Sequence, residues 1–229
     1  MTDTEPDLAK LTIGVLGGTG PQGRGLALRW AVAGLRVIIG SRDAGRAATA
    51  AAELVEQGGL EADAVTGADN HGCASGSDLI LVAVPWDGHD TLLTSLRSEL
   101  AGKIVIDCVN PMGFDKQGAH PLPVAEGSAA QQAAALLPES RVTAAFHHVS
   151  AVTLVDLSVA EMNLDVLVLG DDREATDQVR ALADAIPGVR GVFGGRLRNA
   201  GQVEALTANL IAINRRYKTH AGIRITDLP

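Results

Sequence analysis

With 229 residues, 46% of them apolar, the chain can bury a sizeable core and reads as a globular protein of one large domain or one and a half. A net charge of −8 argues against a general nucleic-acid or membrane-surface binder, and aromatics at 3% offer no stacking platforms for single strands. The acidic start, Met1 to Asp7, has no apolar signal region and no apolar run reaches membrane-spanning length, so a cytoplasmic, reduced protein is expected.

The first element is a short buried strand carrying Ile13, Val15 and Leu16. It breaks into glycine and runs on into a helix with Leu26, Leu28 and Trp30. Gly18-x-Gly20-x-x-Gly23 fits the dinucleotide fingerprint in the strand-turn-helix context it requires. Gly18 is expected to permit the tight turn, Gly20 to let a pyrophosphate approach the backbone, and Gly23 to let helix and strand pack closely. Pro21 suits the first helical turn, and the helix start offers free N–H groups to the phosphates.

Leu35 to Ile39 reads as the second strand, ending at Gly40-Ser41-Arg42-Asp43. An NAD-binding chain would carry an acidic ribose ligand near here. Ser41, Arg42 and Arg46 instead suit a 2′-phosphate, because guanidinium binds phosphate as a planar fork. Asp43 reads as the cap of the next helix, which leaves NADP as the expected nucleotide. The other reading leaves Arg42 and Arg46 as solvated surface charges.

Residues 43–57 form an alanine-rich helix closed by Gly58-Gly59, residues 62–66 a short third strand and residues 68–74 a short helix. Asp78 to Val84 is a continuous apolar run, as in a central parallel strand covered on both faces. A single amphipathic helix is expected from Trp86 to Leu100, then a buried strand from Lys103 to Asp107. Ligands of open α/β sheets lie beyond the carboxyl ends of strands, so Val84, Pro85 and Trp86, with Asn110, should flank the nicotinamide. Trp86 could equally be a packing residue of its helix. Cys73 and Cys108 lie far apart without metal-ligand spacing, and no metal is expected.

Residues 112–123 read as a long irregular loop, and Glu126 to Leu137 as a helix. A strand from Arg141 to Ser150 carries the paired His147 and His148, and Asp165 to Gly170 is another buried strand. Asp171 and Asp172 can cap a helix over 173–186, Gly191 to Phe193 suits a short edge strand, and the last helix spans Gln202 to Tyr217. Strand and helix alternate, which implies a parallel sheet with helices on its faces. The chain has no Ser-Tyr-Lys set, no cysteine nucleophile with a committed histidine and no metal cluster. An alcohol or ketone reductase would need a general acid, and only His147 and His148 are available. Hydride exchange between two redox cofactors needs less, since the cofactors carry the chemistry.

Residues 16–29 and 37–43, together with Val84-Pro85-Trp86, Gly170-Asp171-Asp172, Arg198-Asn199 and Glu204 to Ile211, resemble the NADPH-dependent coenzyme F420 reductases over nearly the whole chain. The resemblance implies reversible hydride transfer between NADP and a deazaflavin. It implies an α/β, Rossmann-type doubly wound parallel sheet over residues 1–140. A smaller C-terminal α/β domain, residues 141–229, would contribute to the deazaflavin cleft and to a homodimer interface. It assigns Thr19, Gln22, Ser41, Arg42 and Arg46 to NADP, and Val84 and Pro85 to the nicotinamide. Phe146, His147, His148 and Val149, with Asn199, Leu206 and Thr207, would face coenzyme F420. No residue is expected to be an obligatory acid or base; His147 and Pro85 would position the reactants. The partners would be small redox cofactors, with neither nucleic acid nor membrane. The alternatives are another NADP-linked reductase of this architecture, metalloreductase-like or imine-reducing, and a redox sensor that binds NADP without turnover. Residues 196–229 carry six basic side chains against two acidic ones. Arg196 and Arg198 among them could steer the anionic F420 tail, or they could be scattered solvated charges.

Overall fold

The computed structural model describes residues 8–228; the acidic start, residues 1–7, lies outside them. After a short 3-10 turn come β1 (Thr12–Leu16), α1 (Pro21–Val32), β2 (Arg36–Ser41), α2 (Ala44–Gly58), β3 (Val65–Asp69), α3 (Asn70–Ser75), β4 (Leu79–Val82), α4 (His89–Ser95), α5 (Arg97–Leu100) and β5 (Ile104–Asp107). The second half holds β6 (Met112–Asp115), β7 (Gly118–Pro121), α6 (Ala129–Leu136), β8 (Arg141–Ala144), α7 (Ala151–Val155), β9 (Leu164–Gly170), α8 (Arg173–Asp184), β10 (Val189–Gly195) and α9 (Ala200–Tyr217).

One eight-stranded sheet runs in the order β10-β9-β8-β5-β4-β1-β2-β3. Its pairs are parallel except β8 with β9, where the chain reverses. The order reverses between β1 and β4, so the crevice at their carboxyl ends is the expected ligand position. Alternation along each strand divides the core into two layers. Ile13, Val15, Leu79, Leu81 and Ile106 face α1, α2 and α8. Leu16, Ile80, Val82 and Val105 face α3, α4, α6 and α9. This is the doubly wound α/β sheet expected, and its β9-β10 edge extends the same sheet beyond residue 140.

Several local expectations are corrected. Residues 112–123 are not irregular: β6 and β7 form an antiparallel hairpin, turned at Gly118 (φ 123°) with Asp115 Oδ1 accepting from the Gln117 and Gly118 amides. The helix expected from Trp86 to Leu100 is a 3-10 turn followed by α4 and α5. It breaks at Leu96 (φ −107°, ψ 10°), which closes α4 and opens α5 with its side chain fully buried. The strand expected over 141–150 ends at Ala144, because β5 pairs with it for only four residues and Phe146 then turns left-handed (φ 66°). The third strand starts at Val65 rather than residue 62, set by its register with Val37, and Asp69 caps α3 through Gly72 N. The edge strand β10 is longer than expected, since it pairs with β9 from Val189 to Gly195.

Candidate active site

The fingerprint glycines sit between β1 and α1, but their jobs are shared differently from expectation. Gly17 takes the left-handed turn (φ 80°), a conformation that favours glycine. Gly18 is needed instead for close approach: a Cβ there would lie 2.5 Å from Ile39 Cβ of β2. A Cβ on Gly23 would lie 2.7 Å from Gly17 O, so its role in close helix–turn packing holds. At Gly20 the nearest atom to such a Cβ is Gly17 O at 3.3 Å, which leaves the turn open on its outer side. Gly20 is also the N-cap of α1 and gives it no side-chain cap, so the first N–H groups of the helix face the turn without one.

Beyond this turn lies a cleft of about 510 Å³, within the range of small-molecule sites. Thr19, Gly20, Ser41, Arg42 and Arg46 line one end, and Val84 and Pro85 the other. Asp43 caps α2, its Oδ1 accepting from Arg46 N at 2.7 Å. The carboxylate is thereby committed to the helix. Arg42 and Arg46 have no carboxylate partner among the described residues. Trp86 is not among the lining residues; its ring packs against His89 at 5.4 Å, the second of its two readings.

The segment after β8 is buried, is not among the residues that line this cleft, and is held by its backbone. Gln22 Nε2 donates to Phe146 O at 3.3 Å. His147 O accepts from Asn110 Nδ2 at 3.0 Å and from Thr207 Oγ1 at 3.1 Å. These bonds bring Gln22, Asn110, Phe146, His147 and Thr207 together from four parts of the chain. The Phe146 ring is turned inward, edge-on to Trp30 at 5.5 Å, so this residue offers its carbonyl rather than its ring. His148 Nε2–H donates to Asp165 O at 2.8 Å, and Val149 is buried in the core. Asn199 and Leu206 are half-buried, at the start and second turn of α9, and no side-chain hydrogen bond joins Asn199 to this group.

His147 is the unusual member. Only 4% exposed, it leaves both ring nitrogens without a hydrogen-bond partner. Burial, offset in part by the Asp107 charge, pushes its pKa down to about 4, so the ring is neutral near pH 7. A neutral imidazole presents one donor and one acceptor, and neither is paired within the described residues. Among the described residues no group of histidine, cysteine and carboxylates could hold a metal. Cys73 and Cys108 are free and buried, and burial pushes the Cys73 thiol up to about 12.

Sequence reasoning missed four buried polar residues. Arg29 on α1 donates to the carbonyls of Leu154, Val159, Thr153 and Asp156 at 2.7–2.9 Å. His89 and Asp107 bond at 2.6 Å with neither side chain exposed. Glu204 accepts from the Ala129 and Ala130 amides at the start of α6. Each partner lies far along the chain, so no local motif signals it. Of the basic C-terminal residues, Arg196 pairs with Asp171 and Arg224 with Asp165.

Known proteins resemble the chain over most of its length. The family profile described as NADP oxidoreductase, coenzyme F420-dependent, matches residues 12–111. The chain is 42% identical to the F420-dependent NADP reductase of Methanothermobacter thermautotrophicus over 224 residues, 96% of each chain. It is 39% identical to the one from Methanocaldococcus jannaschii, covering 95% of this chain and 99% of the relative. A solved structure from Arthrobacter sp. FB24 superposes with a TM-score of 0.80 at 26% identity, covering 94% of this chain and 99% of that one. The chain belongs to the family of coenzyme F420-dependent NADP reductases.

Proposed function

We propose that the chain is an oxidoreductase whose cleft holds NADP along the glycine turn and coenzyme F420 against the His147 wall. The two cofactors supply the chemistry, a hydride passed reversibly between nicotinamide and deazaflavin. The protein's own residues bind, orient and exclude water. The α1 start and the open side of Gly20 receive the pyrophosphate. Ser41, Arg42 and Arg46 receive the 2′-phosphate; two guanidinium groups lining the cleft with no ion-pair partner among the described residues are the observation that carries the nucleotide choice. Thr19 borders the phosphate turn, Gln22 stands in the first turn of α1 just after it, and Val84 and Pro85 back the nicotinamide. His147 offers its unpartnered ring nitrogens to the deazaflavin and, with Pro85, positions the rings; neither supplies an obligatory proton. His148, Val149, Asn199, Leu206 and Thr207 complete that wall.

Residues 141–229 form the part that contributes the deazaflavin side. A homodimer is favoured by apolar groups left outside the core: Phe114 on the hairpin, 70% exposed, and Ile213 and Tyr217 on α9. A cytoplasmic site of action suits two buried, unpaired cysteines. No helix of the described residues is long and apolar enough to cross a membrane. The test is optical. Mixing protein, NADPH and oxidised deazaflavin should bleach the visible deazaflavin band at a rate proportional to enzyme. NADPH binding without bleaching would favour the sensor, and NADPH oxidation by an imine or metal acceptor alone would favour another reductase.

A further inference from the structure

Beneath both walls of the cleft runs a closed polar circuit that the family reading does not use. His89, at the start of α4, is fully buried. Its Nε2 lies 2.6 Å from Asp107 Oδ2 and its Nδ1 lies 3.1 Å from Gln132 Oε1. The orientation of the Gln132 amide is set by its Nε2, which donates to Glu126 at 3.4 Å. A ring between two acceptors is satisfied only when both nitrogens carry protons. Asp107 uses its other oxygen, Oδ1, to accept from Val109 N at 2.9 Å, which shapes the turn leading to Asn110. Asn110 then holds His147 O, as does Thr207. Thr207 is three residues from Glu204 on α9, so both lie on one helix face. Glu204 grips the first amides of α6, the helix that carries Gln132.

We propose that His89, an imidazolium clamped between Asp107 and Gln132, is a positioning residue for hydride transfer: it fixes the turn that orients the His147 wall and supports the Trp86 turn next to Pro85. The proposal rests on the reading of the cleft as the NADP and deazaflavin site. The Trp86 ring packs at a 34° tilt against the His89 ring, and Trp86 directly follows Pro85, which lines the nicotinamide end. One buried ring therefore supports both walls.

The charges around the ring favour its protonated form. Burial penalises a cation, but the Asp107 hydrogen bond and charge, then Gln132 and the Glu204 charge, more than offset it, so His89 titrates above its ordinary value. The groups facing the circuit are Asp107 from β5, Gln132 from α6 with Glu126 behind it, Glu204 from α9, and His147, which feels the Asp107 charge from the turn after β8. Glu204 is pushed up to about 7 by burial, with Asp107 adding to it, against the pull of the Ala129 and Ala130 amides and of the His89 charge. Loss of the His89 cation would leave Asp107 a buried, uncompensated carboxylate. A carboxylate that turns away from the neutral ring takes the acceptor from the Val109 amide with it. The Asn110 and His147 positions would shift with it.

Two measurements test this. Nitrogen-15 NMR of histidine-labelled wild-type protein should report both His89 ring nitrogens protonated at neutral pH; a neutral ring overturns the proposal. His89→Gln keeps one donor toward Asp107 and removes the charge. Its single-turnover hydride transfer should be slower by roughly 10- to 100-fold, the scale of an ångström-sized misplacement, with NADPH affinity within about twofold of wild type. The wild-type rate should fall at alkaline pH as His89 deprotonates, and that limb should vanish in the variant. An unchanged rate and pH profile, or a rate loss matched by an equal loss of NADPH binding, overturns the proposal. Should His89→Gln fail to fold, the wild-type ring protonation and alkaline limb decide. A wild-type protein that never bleaches deazaflavin sinks the functional reading instead, while ring protonation and NADPH affinity remain readable.

Discussion

The proposed nucleotide wall is assembled from two short stretches, Gly17 to Gly23 and Ser41 to Arg46, each following its own strand. The proposed opposite wall joins residues separated by 37 and 60 positions, Asn110 and Thr207 on the carbonyl of His147, and by 124 positions from Gln22 to Phe146. The nucleotide wall offers backbone N–H groups and exposed guanidinium groups, whose cost on folding is small because water solvates them before binding. The opposite wall offers buried polar groups whose partners come from other elements. A buried polar group left unpaired costs far more than an exposed one. Affinity and stability should therefore separate by wall.

The largest expected effect lies behind the opposite wall. Arg29→Met fills similar space but leaves the four carbonyls of the 153–159 segment without their donor. Urea unfolding should show a loss on the order of 3–5 kcal/mol, from several unsatisfied groups at once. A loss below about 1 kcal/mol would mean that water replaces the guanidinium and that this wall is less buried than its geometry indicates.

The next effect is a pH dependence. In the folded chain His147 has its pKa lowered to about 4, below the ordinary value of 6.5. A base with a depressed folded pKa contributes stability that is fully present above its unfolded pKa and is lost as pH falls toward the folded one. Between about pH 6.5 and 4 the wild type should lose on the order of 3 kcal/mol from this group alone. His147→Gln should remove that component, read as the difference between the two pH–stability curves. Parallel curves would show that the ring is solvated and that the wall opens freely.

The smallest effect on the folded chain, and the clearest on function, belongs to the nucleotide wall. Arg42→Ala should leave the unfolding midpoint within error, since the side chain is exposed and free of ion pairs among the described residues. NADPH binding should weaken by about 1.5–3 kcal/mol, tenfold or more, with NADH binding unchanged. An unchanged ratio of catalytic efficiencies for NADPH and NADH would transfer the 2′-phosphate role elsewhere.

The sequence by itself determined what repeats locally. The apolar runs of β4 and β5, the glycine fingerprint, the Asp43 cap and the arginines after β2 were legible because each acts through its own backbone or near neighbours. Tertiary structure decided the rest. Pairing with β5 ended β8 at Ala144, and the helix after Trp86 breaks at the buried Leu96. Gly17 takes the positive φ, while Gly18 is needed for its approach to Ile39 of β2. His89 and Asp107, Glu204 and α6, and Arg29 and the 153–159 carbonyls stand 18, 75 and up to 130 positions apart. Hydropathy shows that a residue is polar but not which acceptor awaits it. Only the tertiary fold puts those donors and acceptors within reach.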